Sequence, residues 1–155
     1  MTIKTHNTAE TINLGQRFAR GLKGGEVVLL IGDLGAGKTT FVKGVAAAFG
    51  IKRTVTSPTF VLMKVYRVKS QKSKVRTALI LPRQSIKNLV HIDTYRGLSL
   101  ADLENIGALE YFGRNDAICF VEWGEGLEKC LRSSKIKTLL IKIRIIDSGT
   151  REIII

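Results

Sequence analysis

The sequence predicts an α/β fold, with a mixed central sheet flanked by helices and an antiparallel hairpin at the C-terminus. An almost wholly apolar run at residues 26–31 is followed by a glycine-rich turn and then by an amphipathic helical pattern. A second apolar run, at residues 117–122, is typical of a strand buried on both faces of a sheet. Two β-rich segments near the end of the chain flank a turn signal at residues 147–149, which predicts the hairpin.

The first half of the chain predicts two helices around the buried strand. Apolar residues recur at helical spacing over residues 8–22, with Thr8 as the expected N-terminal cap and Gly24 and Gly25 ending the segment. Residues 38–49 predict a second helix, and Gly50 stands where a C-terminal cap belongs. The buried strand at residues 26–31 therefore lies between two helices.

The second half predicts further strands and one more helix. Residues 59–68 and 89–92 have the composition of strands, and residues 100–112 have a helical pattern. Residues 137–146 and 150–155 are the two expected hairpin strands. The chain of 155 residues has the usual size of one domain, so we expect residues 1–155 to form a single domain.

The sequence composition indicates in which compartment the protein is expected. The longest apolar runs are strand-length, far short of the roughly 20 residues that cross a bilayer. The first ten residues lack the pattern of a secretory signal, so we expect a cytoplasmic protein. Cys119 and Cys130 are the only cysteines, too few for a zinc cluster, and both are expected to be reduced, with Cys119 in the core.

The chain is strongly basic. Its 25 lysines and arginines against 13 acidic residues give a formal charge of +12, which favours a polyanionic partner such as RNA or an acidic protein surface. A basic proteome or a need for solubility would give the same charge. Between Lys64 and Lys87 there are eight basic residues and no carboxylate. We interpret residues 69–87 as a basic insertion that is either a mobile loop or an extended hairpin.

The glycine-rich turn carries the strongest chemical signal. Residues 32–39, Gly-Asp-Leu-Gly-Ala-Gly-Lys-Thr, match the phosphate-binding motif GxxxxGK[ST], in the strand–loop–helix context that this motif requires. The loop amides and the helix N-terminus would face one anion. Lys38 should reach the terminal phosphates, and the Thr39 hydroxyl is the expected Mg²⁺ ligand. The sequence therefore predicts a P-loop NTPase fold.

Two acidic residues are candidates for the hydrolytic step. Glu122 ends one predicted buried strand and Asp93 follows another, and ligand chemistry in open α/β sheets gathers at the carboxyl ends of strands. One would hold the metal and one would position water, although each could instead be a capping or turn carboxylate. The NKxD-type tetrapeptide that reads guanine is absent, which favours ATP. A small-molecule phosphotransferase and a basic RNA-binding module with structural ATP remain alternatives.

At these residues the chain resembles the TsaE (YjeE) family of ATPases, which are needed for threonylcarbamoyladenosine formation in bacterial tRNA. The resemblance spans most of the chain and rests on six motifs. They are Thr11 with Leu14-Gly15, residues 32–40, Ser57-Pro58-Thr59-Phe60, His91-Ile92-Asp93-Thr94-Tyr95-Arg96, residues 102–107, and Val121-Glu122-Trp123. The family usually has a shorter connection where this chain carries the basic insertion.

The resemblance implies a role for each matched position. Thr39 and Glu122 would hold magnesium, and Asp93 would take part in hydrolysis and is a further candidate metal ligand. Ser57 and Thr59 would form a switch-like loop that senses the terminal phosphate, and Trp123 would lie beside the nucleotide. Thr8, Thr11 and Arg151 would approach the nucleoside end. The phosphates would be wrapped by Gly35, Ala36, Gly37, Lys38, Thr39 and Thr40.

The resemblance also implies the biological setting. Family members are weak ATPases alone, act with the TsaB and TsaD proteins, and are thought to reset that complex between catalytic rounds. Direct contact with tRNA through the basic surface is a further expectation.

Four residues of these motifs keep alternative interpretations. His91 is expected to be a structural hydrogen-bonding residue rather than a base, and Tyr95 to belong to the core. Arg96 is either a charge partner or a contact for the assembly. Without the resemblance, Trp123 would be assigned to packing.

Overall fold

The secondary structure alternates between strands and helices along most of the chain. The computed structural model describes residues 1–68, 86–95 and 97–155. Its strands are β1 (Thr2–Thr5), β2 (Val27–Ile31), β3 (Met63–Arg67), β4 (Asn88–Asp93), β5 (Ala117–Glu122), β6 (Thr138–Ile145) and β7 (Arg151–Ile154). Its α-helices are α1 (Thr8–Ala19), α2 (Lys38–Ala48), α3 (Leu100–Asn105) and α4 (Glu128–Ser133), with a 3₁₀ helix at Ala108–Tyr111.

The strands form one mixed sheet in the order β1-β7-β6-β2-β5-β4-β3. The central strands β6, β2, β5 and β4 are parallel, whereas β3, β7 and β1 run antiparallel to their neighbours. This arrangement confirms the predicted α/β fold and its C-terminal hairpin, β6–β7. Because Asp93 is paired with Glu122 at the ends of β4 and β5, both carboxylates are brought to the same edge of the sheet.

Hydrophobic cores fill both faces of the sheet. One core joins α1 and α2 to the sheet through residues such as Phe41 and Phe120, and the other packs Leu103 and Leu131 against the opposite face. Cys119 is fully buried in the second core, as predicted, and burial raises the pKa of its thiol. Among the described helices, none is long and apolar enough to span a membrane.

Helices α1 and α2 touch through their backbones, because a glycine stands on each side of the crossing. A Cβ atom at Gly15 would overlap the carbonyl oxygen of Phe41, and one at Gly44 would overlap the carbonyl oxygen of Ile12. Only glycine allows so close an approach at these two positions. The crossing fixes α1 against the helix that follows the glycine-rich loop at residues 32–37.

The helix ends differ in part from the predictions. Asn7, and not Thr8, is the N-terminal cap of α1, since its side chain accepts a hydrogen bond from Glu10 N at 2.9 Å. The helix ends at Ala19, three residues earlier than predicted. The prediction for Gly50 is confirmed, because it has φ 68° and donates to Ala47 O while Ile51 donates to Ala46 O.

Two predicted elements are shorter than expected. Residues 59–62 form a turn rather than the start of β3, and Leu62 within it has φ 61°. The predicted helix at residues 100–112 is broken at Gly107, with φ 74°, into α3 and the 3₁₀ helix. Strand β1 and helix α4 are not predicted by the sequence pattern. Residues 69–85 of the basic insertion lie outside the described residues.

The turn between β6 and β7 depends on one carboxylate. Asp147 Oδ1 accepts hydrogen bonds from Gly149 N at 2.9 Å and Thr150 N at 2.7 Å, and these bonds lower the pKa of Asp147 below its ordinary value of 3.8. A lowered pKa contributes stability above pH 3.8, and that contribution is lost as pH falls through the folded-state pKa.

We therefore expect the turn to loosen in acid. Hydrogen exchange at Gly149 and Thr150 should accelerate as the pH falls below 3.8, beyond the intrinsic pH dependence of exchange. Asp147→Asn, which keeps an acceptor oxygen but does not titrate, is the matched control and should lack this acid-dependent loosening. Equal pH profiles for the two proteins would contradict the assignment.

Candidate functional site

A cleft opens where β2, β4 and β5 end. Its volume is about 360 Å³, and it lies over the loop between β2 and α2. The lining residues come from four chain segments that are far apart in the sequence. They are Leu34, Gly35, Gly37, Lys38, Thr39, Thr40, Ser57, Thr59, Asp93, Tyr95, Glu122 and Trp123.

The loop at residues 32–37 has a backbone that side chains rarely permit. Gly32 has φ 150° and Gly37 has φ 108°. Gly37 is the N-cap residue of α2, and it has no side chain that could accept a hydrogen bond from the first amides of the helix. The amides of the first turn of α2 are therefore available to an external anion, which the helix dipole also favours.

Lys38 is held inside this loop. It is 4% exposed, and its Nζ donates to the carbonyl oxygens of Gly32 and Asp33, the latter at 2.9 Å. The same Nζ lies 3.7 Å from the ring centroid of Trp123, a cation–π contact. Burial lowers the pKa of Lys38 below its ordinary value of 10.5, against the attraction of nearby carboxylates, chiefly Glu122.

Glu122 connects the loop to the sheet. Its Oε1 accepts a hydrogen bond from Thr39 Oγ1 at 2.7 Å and lies 2.8 Å from His91 Nε2. Since a carboxylate only accepts, we assign the Nε2 proton to His91. His91 is fully buried, and its Nδ1 has no hydrogen-bond partner among the described residues. His91 thus orients Glu122 from below the cleft.

Asp93 holds a different segment. Its Oδ2 accepts hydrogen bonds from Ser57 Oγ at 2.7 Å and Thr59 Oγ1 at 2.6 Å, while its Oδ1 accepts from Tyr95 N at 2.9 Å. The carboxylate is 3% exposed. These bonds hold Ser57 and Thr59 against Asp93, at the start of the turn at residues 59–62 that precedes β3. The two acids therefore have different hydrogen-bond partners: Glu122 contacts Thr39 of the loop, whereas Asp93 contacts Ser57 and Thr59.

Three of the predicted site residues, Thr8, Thr11 and Arg151, do not line the cleft. Arg151 donates from Nε to Ala36 O at 3.1 Å and from Nη2 to Gly35 O at 3.4 Å, so it contacts the loop from behind. Thr11 is buried, with its hydroxyl 2.9 Å from that of Thr5. Thr8 is exposed and does not line the cleft.

Sequence reasoning missed or misplaced some residues at the cleft. Leu34 lines it and is 76% exposed, although the motif gave that position no role. The alternative interpretation of Tyr95 as a core residue is wrong, because Tyr95 is 53% exposed, and its ring lies 5.1 Å from that of Trp123. The sequence signal for Leu34 is its apolar side chain in a glycine-rich loop, a position where burial in the core is not expected. Arg96 lies outside the described residues.

The donor set fits a Mg²⁺-nucleotide. The Thr39 hydroxyl and the Glu122 carboxylate are adjacent oxygen donors beside the uncapped start of α2, and Mg²⁺ favours a few such oxygens together with phosphate and water. Lys38 supplies a positive charge at the same place. The arrangement is suited to binding and hydrolysing a nucleoside triphosphate.

Comparisons with known proteins show which family this chain resembles. A family model described as "Threonylcarbamoyl adenosine biosynthesis protein TsaE" matches residues 5–153. The tRNA threonylcarbamoyladenosine biosynthesis protein TsaE of Treponema pallidum is 36% identical over 154 residues, covering 99% of this chain and 98% of that protein. The protein of the same name from Bacillus subtilis is 35% identical over 137 residues, covering 88% and 75%. The crystal structure of B. subtilis YdiB matches with a TM-score of 0.65 and 31% identity, covering 99% of this chain and 82% of that one.

Proposed function

The chain belongs to the TsaE family, a group of P-loop proteins of tRNA threonylcarbamoyladenosine biosynthesis, and we propose that it is a Mg²⁺-dependent ATPase of that pathway. In this proposal it hydrolyses ATP weakly alone and faster with TsaB and TsaD proteins, and its nucleotide state switches the complex that they form. The observation that carries the proposal is the Thr39–Glu122 pair, 2.7 Å apart, beside the uncapped start of α2.

The loop residues bind the triphosphate. The amides of Gly35, Gly37 and the first turn of α2 donate to phosphate oxygens, as in other loops of this kind. Lys38 exchanges its two carbonyl partners and the Trp123 ring for the terminal phosphates, which are stronger partners for an ammonium group. The loop carbonyls therefore keep the lysine in place before the nucleotide arrives.

Thr39 and Glu122 would hold the metal. When bound, Mg²⁺ neutralises the charge that develops on the phosphates. The Glu122 carboxylate is kept in position by His91 on the sheet side, and the Thr39 hydroxyl beside it would be the second protein oxygen for the metal. His91 thus serves as a positioning residue for Glu122.

Asp93 orients the attacking water. Asp93 lines the cleft and its Oδ1 is held by Tyr95 N at 2.9 Å, so Oδ2 becomes an acceptor of defined direction for water once the Ser57 and Thr59 hydroxyls leave it. Ser57 and Thr59 give up their bonds to Asp93 when the segment turns to the terminal phosphate. This exchange would link the nucleotide state to the position of residues 57–60.

The rim of the cleft has the character of a protein contact. Phe60 is 90% exposed and Val61 60%, and both adjoin the residues that Asp93 holds. Leu34 and Tyr95, which line the cleft, are also exposed. Exposed apolar and aromatic residues around a site mark an interaction surface. This supports docking of the TsaB–TsaD complex over the nucleotide.

The charge of +12 supports a direct contact with tRNA, which would also place the protein in the cytoplasm with its ATP. Binding through phosphates should weaken steeply as salt rises. A tRNA affinity that does not change with salt, or no tRNA binding at all, would remove this part of the proposal.

Replacing Asp93 by asparagine tests the hydrolytic role. The amide keeps one acceptor oxygen but cannot take a proton, so ATP hydrolysis should fall on the order of 10²-fold while ATP affinity changes little. Steady-state phosphate release with TsaB and TsaD gives the rate, and calorimetry gives the affinity. An equal loss of affinity and rate would show that Asp93 serves binding instead.

The central test is ATP binding and turnover by the unaltered chain. Trp123 is the only tryptophan and lies against Lys38, so its emission should change when Mg²⁺ and ATP are added together. ATP turnover should rise when the TsaB and TsaD proteins of the same organism are added. No Mg²⁺-dependent change in emission, or turnover unaffected by the partners, would contradict the proposal.

A further inference from the structure

A second groove lies away from the nucleotide cleft, between the edge strand β1 and one face of α1. Its volume is about 460 Å³. The residues that matter most to its chemistry are three cations, two amides and one acid. They are Lys4, Arg17, Arg20, Asn13, Gln16 and Glu10.

One side of the groove is an open sheet edge. Among the described residues, β1 pairs only with β7, and its register is antiparallel. Met1 and Ile155 donate backbone hydrogen bonds to each other. In an antiparallel pair every second residue is hydrogen-bonded to the partner strand, so the N–H and C=O groups of Ile3 and Thr5 also point towards β7. The N–H and C=O groups of Thr2 and Lys4 consequently point outwards, where a further strand would add.

The charge of the groove is positive and unpaired. None of Lys4, Arg17 and Arg20 has a carboxylate within ion-pair distance among the described residues. Glu10, the acid in the groove, is engaged with the start of α1: its Oε2 accepts from His6 N at 2.8 Å and its Oε1 from Asn7 Nδ2 at 3.1 Å. The groove therefore offers three free cations beside two outward-facing donor and acceptor pairs.

We propose that this groove binds an extended acidic segment of a partner protein, which adds to β1 as an eighth strand. A peptide backbone supplies both the acceptors and the donors that Thr2 and Lys4 require, whereas phosphates would satisfy the N–H groups and meet the C=O groups unfavourably. A second copy of this chain would place Lys4 near another Lys4, and like charges oppose that pairing. Acidic side chains on the added strand would reach Arg17 and Arg20. The inference does not depend on nucleotide hydrolysis.

The probe is a labelled peptide of alternating glutamate and valine, added to the full chain at low salt. It should bind by fluorescence anisotropy and slow the hydrogen exchange of the Thr2 and Lys4 amides about tenfold or more. A peptide of alternating lysine and valine, and the acidic peptide with N-methylated amides, should not bind. Absence of binding by the acidic peptide, or equal binding of its N-methylated form, overturns the proposal.

Two pairs of variants separate charge from strand pairing. Arg17→Glu with Arg20→Glu should weaken the acidic peptide about tenfold or more, whereas Lys43→Glu with Lys52→Glu, the same charge change at exposed sites outside the groove, should have little effect. Lys4→Pro removes an outward N–H that β7 does not use and should abolish binding, while Lys4→Ala should only weaken it.

Two further results would overturn the proposal. Equal affinity of the Arg17/Arg20 and Lys43/Lys52 variants would show that the peptide senses only net charge. An RNA oligonucleotide that displaces the peptide, and that loses affinity in the Arg17/Arg20 variant alone, would make the groove a nucleic-acid site. Either result overturns the proposal, and neither bears on ATP hydrolysis.

Discussion

Replacing Lys38 by alanine is expected to lower partner-stimulated ATP hydrolysis on the order of 10³-fold and to abolish tRNA modification that depends on the protein. Lys38 Nζ is the cation nearest to the loop that would carry the phosphates, and it is 4% exposed, so water cannot replace it well. Alanine also removes the Lys38 Nζ donor from the carbonyl oxygens of Gly32 and Asp33, of which Asp33 O keeps the hydrogen bond from Ala36 N at 3.1 Å.

Lys43→Ala is the matched control for this experiment. Lys43 stands on α2 as well, but it is exposed and does not line the cleft. Its removal changes net charge by the same amount and should leave hydrolysis unchanged. Phosphate-release assays with TsaB and TsaD measure the rate, and complementation of a depleted strain measures tRNA modification. If the Lys38 variant turned over ATP as fast as the Lys43 variant, the assigned phosphate site would be wrong.

Replacing Gly44 by valine is expected to cost about 3 kcal/mol of unfolding free energy, since the crossing of α1 and α2 leaves no room for a side chain. The atom in the way is a backbone carbonyl oxygen, of Ile12, so relief requires the whole of α1 to move. The melting temperature should drop by roughly 10 °C. Because α1 packs on the helix that starts at the phosphate-binding loop, ATP affinity should fall as well.

Gly21→Ala supplies the control for Gly44→Val. A Cβ at Gly21 would meet only the Phe18 carbonyl oxygen, at an ordinary 3.6 Å. This substitution should be neutral or slightly stabilising, because it reduces the freedom of the unfolded chain. Thermal and denaturant unfolding followed by circular dichroism gives both values. Equal unfolding free energies of the two variants would contradict the prediction, because they would show that α1 can move away from α2 without loss of stability.

The phosphate-binding loop could be predicted from the sequence because its chemistry is local. A buried strand, a glycine pattern and an amphipathic helix follow one another between residues 26 and 49, so no distant contact is needed to recognise them. Asp93 and Glu122 could be placed at the same edge for a similar reason, since each ends an apolar run.

The partners of these acids could not be predicted in the same way. That Glu122 contacts Thr39 while Asp93 contacts Ser57 and Thr59 depends on strand order and register, which link residues up to 83 positions apart. Likewise, β1 is a short and mostly polar segment that becomes a strand only by pairing with β7. Tertiary contacts overrode local pattern in both cases.

The place where the basic insertion joins the fold has a consequence for how this chain tolerates change in length. Val68 N donates to Lys87 O at 2.8 Å, so the backbone on the two sides of residues 69–85 is already joined. That junction is next to Asn88, the first residue of β4, whereas the catalytic candidate Asp93 is the last. Residues gained or lost between Val68 and Lys87 would leave the registers of β3 and β4 intact. Evolution could therefore lengthen this connection without disturbing the reacting groups at the other end of the strand.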